Sequence, residues 1–145
     1  FREQIASGGP GTITSPDMTR FMLSLEQATE IVCDAIRNAE PGDIYVPDIP
    51  SATVIDLAAA MIGDRDIATV ITGIRPGEKR HEIMLSEEEI PRTVRRGQYF
   101  VMRPVLPSQR GAAAETPVLE RELSSADYVM ARDELKAFLI QGGYI

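Results

Sequence analysis

Between residues 24 and 74 the chain alternates twice between a helical apolar spacing and a short extended run, with proline or glycine at the joints. That alternation constrains the fold more than any other feature. Ser24-Leu25-Glu26-Gln27 has the form of a capping box, in which the serine hydroxyl accepts an early backbone N–H and the glutamine reaches back. Behind it Ala28, Ile31, Val32, Ala35, Ile36 and Ala39 recur at three- and four-residue spacing, which marks one apolar helix face ending at Pro41-Gly42. Asp43-Ile44-Tyr45-Val46-Pro47 reads as a strand, its proline placed where no ladder N–H is needed. Pro50-Ser51-Ala52-Thr53 reads as the opening of a second helix. Val54, Leu57, Ala58, Met61 and Ile62 form its inner face, and Gly63 takes a left-handed stop. Ala68 to Ile74 is a further β-branched run. Helix, strand, helix, strand is the pattern of a small α/β layer. Loops at strand ends are common places for ligand residues.

The flanks add shorter elements. Phe1 to Ala6 resembles the tail of a helix running into Ser7-Gly8-Gly9-Pro10-Gly11, and the start at Phe1 reads as a piece of a longer polypeptide. Thr12–Thr14 and Met18–Leu23 suit short extended segments. Glu87-Glu88-Glu89 reads as a solvated helix start, and Gln98 to Met102 as a strand. A last helix spans Arg132 to Gln141, with Leu135, Phe138 and Leu139 inward and Gly142-Gly143 as its stop. The expected organisation is a lobe over residues 1–103, a flexible loop over 104–122 rich in Pro, Ala, Gly and Ser, and a C-terminal extension over 123–145 within the same domain.

Composition removes several function classes. The formal charge of −7 argues against a nucleic-acid binder that works by broad phosphate neutralisation, though it permits one small anion in a local basic pocket. The single cysteine, Cys33, rules out an internal disulfide and fits a reducing, cytoplasmic setting. No apolar run approaches the roughly 20 residues of a membrane span, and no secretory signal is read. There is no three-glycine dinucleotide fingerprint, no Gly-Lys-Ser/Thr phosphate loop, and no histidine or cysteine cluster for a metal. No serine has the glycine-flanked setting of a nucleophile.

One run stands apart. Ile74-Arg75-Pro76-Gly77-Glu78-Lys79-Arg80-His81-Glu82 gathers cations and carboxylates around a Pro-Gly turn, and a second arginine lies upstream in Asp17-Met18-Thr19-Arg20-Phe21. The planar fork of Arg75 fits two phosphate oxygens at once, and the carboxylate of Glu78 suits the hydroxyls of a ribose. From spacing alone, a surface turn with an Arg–Glu ion pair explains the same residues. His81 could serve as a general base, but the favoured reading is a helix-start residue bonded to nearby backbone or to Glu82.

Thr12-Ile13-Thr14, Met18-Thr19-Arg20-Phe21, Asp43-Ile44-Tyr45-Val46-Pro47, Ile55-Asp56-Leu57-Ala58, Gly73 to Glu82 and the late Ser124-Ser125-Ala126-Asp127 run in the order of a known family. The chain resembles the C-terminal, substrate-binding part of the polysaccharide-biosynthesis nucleotide-sugar dehydratases and epimerases. These belong to the extended short-chain dehydrogenase/reductase group, and the UDP-N-acetylglucosamine 4,6-dehydratase type is the nearest in pattern. The resemblance implies a small mixed α/β lobe without the Rossmann sheet. It implies that Arg20 and Arg75, with Met18 and Thr19 beside them, bind the UDP diphosphate, and that Glu78 binds the uridine ribose. It places NAD(P) and the Tyr-x-x-x-Lys pair in an N-terminal Rossmann domain. Tyr45, Tyr99, Tyr128 and Tyr144 all lack a lysine four residues on, so the chain is expected to bind no cofactor and to be inactive alone. The implied partners are a UDP-sugar, the Rossmann domain and, through the surface that domain would cover, a second copy. Two positions depart from the pattern: Arg80 stands where an apolar residue is usual, and Asp17 where some relatives carry arginine. The competing expectation is an interaction or assembly domain that has kept the fold without the ligand.

Overall fold

The computed structural model describes residues 1–106 and 116–145, so nine residues of the loop expected over 104–122 lie outside the described residues. The chain forms a mixed α/β structure in two compact units. Residues 1–22, 50–82 and 125–145 make the first, and residues 23–49 and 83–124 the second. The strands do not merge into one layer. Among the described residues they form three two-stranded sheets and one three-stranded sheet.

In the first unit, β1 (Gly11–Ile13) pairs in parallel with β5 (Thr69–Ile71), and β2 (Thr19–Phe21) pairs antiparallel with β4 (Ser51–Thr53). Helix α1 (Arg2–Ala6) precedes β1. Residues 51–53 were expected to open a helix; instead they pair with β2, and α3 (Val54–Ile62) starts directly after them. Thr53 is the switch point. Its hydroxyl accepts the Asp56 N–H at 3.1 Å, satisfying one of the orphan donors of the first turn. Gly63 closes α3 at φ +60°, a backbone region costly for any residue with a Cβ, but its ψ of −136° is not the left-handed helical stop expected. Helix α4 (Arg132–Gln141) has the expected boundaries, and the Glu134 carboxylate accepts the Ala131 N–H at 2.8 Å. Its Leu135 and Leu139 are buried with Ala52 and Met130, and Leu57, Met61 and Phe138 pack around them.

The second unit carries α2 (Leu25–Asn38), β3 (Ile44–Pro47), β6 (Ile83–Leu85), β7 (Thr93–Arg96), β8 (Tyr99–Met102) and β9 (Leu123–Ser124). Strands β3, β8 and β7 form an antiparallel sheet with β3 at its edge, where Pro47 costs no ladder bond. Gly97-Gln98 is the two-residue loop between β7 and β8. With φ +59° at glycine and no positive φ at Gln98, it is a type II′ turn, whose twist matches the strands it joins. Val46, Leu85, Ile90, Phe100 and Met102 form one buried cluster, against which Met84, Leu119 and Leu123 pack. The capping box of α2 is present in both directions. Its expected inner face is only half realised. Ile31 packs on the cluster of Val94, Tyr99 and Val101, whereas Val32 and Ile36 are 58% and 80% exposed. Periodicity marks an apolar face but not whether anything covers it. The acidic run at Glu87–Glu89 does not start an α-helix either. It leads into a 3-10 turn at Ile90–Arg92, and Glu89 accepts both the N–H and the hydroxyl of Ser86.

Two polar features in this unit bear on stability. Arg103 is buried, and its guanidinium lies 3.2 Å from Asp43 Oδ1 and 2.9 Å from Glu40 Oε2. Asp43 is itself placed by the turn Glu40-Pro41-Gly42-Asp43. The Asp43 N–H donates to Glu40 O at 3.0 Å, glycine takes φ +88°, and the Asp43 carboxylate accepts the Glu40 N–H at 3.2 Å. Tyr99 donates its hydroxyl to Asp34 Oδ2 at 2.8 Å, and that bond, followed by burial, raises the phenol above its ordinary value near 10. A group raised in the folded state contributes stability that is complete below its unfolded value and is lost as pH rises through the folded one. Unfolding measured from pH 9 upward should therefore show a steeper alkaline loss in the wild type than in Tyr99→Phe.

Candidate functional site

All of the expected site residues fall in the first unit. The Arg75-Pro76-Gly77-Glu78 segment is a type II turn. The Glu78 N–H donates to Arg75 O at 3.0 Å, proline sets the first central φ, and Gly77 supplies φ +82° at the second. The Glu78 carboxylate then reaches back: Oε2 accepts the Arg75 N–H at 3.1 Å and Oε1 accepts the Thr14 hydroxyl at 3.4 Å. This is the device of Glu40–Asp43 repeated, an acid at the fourth position closing a Pro-Gly turn onto the N–H of the first. Here the far carboxylate oxygen also ties the turn to the end of β1. The Arg75 backbone is thus held at both its N–H and its carbonyl, while its side chain is exposed and makes no hydrogen bond or ion pair among the described residues.

Arg20 sits on β2 and is brought to the same loop. Its Nη1 donates to Thr19 O at 2.7 Å and Arg80 O at 3.2 Å, its Nη2 to Lys79 O at 3.0 Å, and its Nε lies 3.6 Å from Glu82 Oε1. The Thr19 N–H adds a backbone bond to Arg80 O at 3.0 Å. Two motifs about sixty residues apart in sequence are therefore laced together, with Arg20 as the clamp. A guanidinium has five N–H donors, so one Nη2 hydrogen remains beyond the carbonyl bonds.

Met18 and Thr19 point inward, at 3% and 4% exposure. Met18 O accepts the Val54 N–H at 2.8 Å, which anchors the start of α3. The Thr19 hydroxyl lies 2.8 Å from His81 Nδ1 and 2.7 Å from the hydroxyl of Ser125, a fully buried residue. The Ser125 oxygen also accepts the Glu82 N–H at 2.9 Å. His81 does not begin a helix, as the sequence reading had it; it lies in a bend before β6 and bonds Thr19. The sequence reading weighs His81 as a general base and sets it aside for local backbone bonding, and Ser125 enters it only through the late Ser124–Asp127 match.

The two departures from the expected motif meet each other. Arg80 Nη1 is 3.0 Å from Asp17 Oδ2, both side chains being about half exposed. Such a surface pair contributes little to stability. Its effect is to occupy one cation of the loop with a local carboxylate. The Asp17 carboxyl is held below the usual carboxylate range, first by the Ser15 hydroxyl and then by Arg80 and His81.

The glycine-rich segment near the N-terminus has the wrong order for phosphate binding. Gly8-Gly9-Pro10 follows a helix and leads into β1, the reverse of the strand–glycine–helix order that cradles a dinucleotide. A Cβ at Gly9 would meet Ile67 Cγ2 at 2.7 Å, so this glycine accommodates the protein's own side chain. This segment therefore does not offer the glycine cradle of a dinucleotide. Among the described residues, no helix is long and apolar enough to cross a membrane.

Known proteins resemble this chain in sequence and in fold. The profile of a family described as "Polysaccharide biosynthesis protein" matches residues 1–104. A "UDP-N-acetylglucosamine 4,6-dehydratase (inverting)" of Campylobacter jejuni is 36% identical over 105 residues, covering 72% of this chain and 31% of that protein. A "UDP-glucose 4-epimerase" of Rickettsia prowazekii is 31% identical over 142 residues, covering 96% of this chain and 37% of that protein. The chain thus spans about a third of the length of these curated relatives. A solved structure titled "X-ray structure of Pen from Bacillus thuringiensis" superposes over 99% of this chain and 44% of its own with a TM-score of 0.84 at 24% identity, a likeness of fold. With a clamped Arg-Pro-Gly-Glu turn, an arginine laced to it, and a family profile covering most of its length, this chain belongs to the polysaccharide biosynthesis protein family.

Proposed function

We propose that this chain grips the UDP part of a nucleotide sugar, as the C-terminal lobe of an NAD(P)-dependent UDP-sugar 4,6-dehydratase or epimerase of surface polysaccharide biosynthesis. The observation that carries this reading is the Arg75 guanidinium, exposed on a turn whose backbone is fixed from both sides and which adjoins the Arg20 clamp. UDP is the moiety common to the names of the dehydratase and epimerase relatives, and it is the part that a lobe shared by both would hold. Arg75 supplies a bidentate fork to the diphosphate, and Arg20 adds its remaining Nη2 hydrogen. Glu78 spends one lone pair on the turn and one on Thr14, and keeps others for ribose hydroxyls. Met18 and Thr19 contribute from behind, by fixing the strand that presents Arg20. Redox chemistry on the sugar belongs to a Rossmann domain outside these residues, so the chain alone should not turn over UDP-N-acetylglucosamine with added NAD.

Calorimetry with UDP tests this. Arg75→Ala should weaken binding by about 1.5–3 kcal/mol, the range for a charge-assisted contact, with the thermal unfolding midpoint unchanged. Equal affinity in wild type and variant would contradict the assignment. A second reading, an assembly domain without ligand, is favoured by the exposed Leu25, Val32 and Ile36 on α2. Absence of UDP binding in the wild type would leave that reading standing.

A further inference from the structure

The contacts around Thr19 form a hydroxyl chain that admits two complete proton arrangements. When His81 Nδ1 carries no proton, the Thr19 hydroxyl donates to it across 2.8 Å and the Ser125 hydroxyl donates to Thr19 Oγ1 across 2.7 Å. The Thr19 carbonyl then accepts from Arg20 Nη1 at 2.7 Å, without Ser125. When Nδ1 carries a proton, every bond reverses. His81 donates to Thr19 Oγ1, Thr19 donates to Ser125 Oγ, and the Ser125 hydroxyl must find another acceptor. One is in place: Thr19 O, at 3.3 Å. In both states Ser125 Oγ still accepts the Glu82 N–H. Buried hydroxyls are costly to leave unpaired, so the chain reverses as a unit rather than breaking at one link.

The two arrangements differ at one atom that matters. Thr19 O is an anchor of the Arg20 guanidinium, and in the second arrangement it is shared with the Ser125 hydroxyl. We infer that His81 is a positioning residue: a proton on its Nδ1 turns the Thr19 and Ser125 hydroxyls round, so that Ser125 donates to the carbonyl that restrains Arg20 and loosens the guanidinium for an anionic ligand. This deepens the proposed function and rests on it for its ligand. By linkage, the bound anion raises the proton affinity of His81 by the same factor that the proton raises affinity for the anion. Asp17 feels the charge of His81, and Arg80 and Glu82 flank it in the chain. Arg80 is paired with Asp17, and Arg20 lies near Glu82. Asp17 is held low, so it stays ionised at pH 5.5 and above and does not account for a change near neutrality.

His81 is the single histidine of the chain, so its ring nitrogens are read without ambiguity in a 15N-labelled sample. The probe is UDP-N-acetylglucosamine, whose diphosphate diester does not titrate between pH 5.5 and 8. Wild type should bind it about five- to tenfold more tightly at pH 5.5 than at pH 8. His81→Phe and Ser125→Ala should each abolish that difference, and Thr19→Ser, which keeps the hydroxyl, should retain it. A pH dependence that survives in Ser125→Ala overturns the relay. Should the wild type take up no nucleotide sugar at either pH, the proposed function fails by itself, and the relay is decided by the free chain. There, removing the Ser125 hydroxyl, which does not touch the imidazole, should shift the His81 ring nitrogens; unchanged ring resonances overturn it.

Discussion

Arg103→Ala is expected to destabilise the chain by about 3–5 kcal/mol, measured by urea unfolding at pH 7. The Asp43 side chain is wholly buried and lies 3.2 Å from Arg103 Nε, so truncating the arginine leaves a buried carboxylate without that cation. The Glu40 carboxylate, 2.9 Å away, is 44% exposed and can turn to water. The loss should therefore come mainly from Asp43. A double variant separates pair energy from desolvation. Asp43→Asn keeps an acceptor for the Glu40 N–H, and combined with Arg103→Met it removes both charges at near-constant volume. That double variant should be less destabilised than Arg103→Ala alone, since a buried pair often costs as much to desolvate as it returns. A double variant no more stable than the single would refute this account.

Leu135→Ala should cost about 2–5 kcal/mol in the same assay. Leu135 has no exposed surface and is packed among Ala52, Met130 and Leu139, with α3 side chains around them. Removing three carbons there loses the transfer energy and leaves a cavity that two helices and a strand cannot easily close. The neighbouring Ile140 is 57% exposed, and Ile140→Ala should stay within about 0.5 kcal/mol. Equal effects at the two positions would mean that the inner face of α4 has been misassigned.

These two residues were not equally visible in the sequence. Leu135 was, because three- and four-residue spacing and a glycine stop are local signals, and α4 has the boundaries they imply. Arg103 was not, because its value comes from a turn some sixty residues earlier. The strands follow the same division. Tyr99–Met102 was legible from its own residues, whereas Thr93–Arg96 was overlooked although the Gly97-Gln98 loop joins them. Strands β6 and β9, of three and two residues, owe their existence to pairing with each other across a long separation. Ser51–Thr53 carried a helix-start signal that was partly right, since Thr53 is the cap, but β2 claims the backbone before it. Along α2, spacing identified apolar positions without saying that Val32 and Ile36 would stay in solvent.

By itself the sequence determined the Arg75–Glu78 turn, the α2 capping box and the extent of α4. Each depends on groups within a few residues of one another, where bond geometry leaves few alternatives. Tertiary structure decided that Arg20 clamps the loop after that turn, and that Thr19, His81 and Ser125 share one hydroxyl chain. Those groups meet only because buried carbonyls and hydroxyls must find partners, and which partner is nearest depends on how distant segments pack.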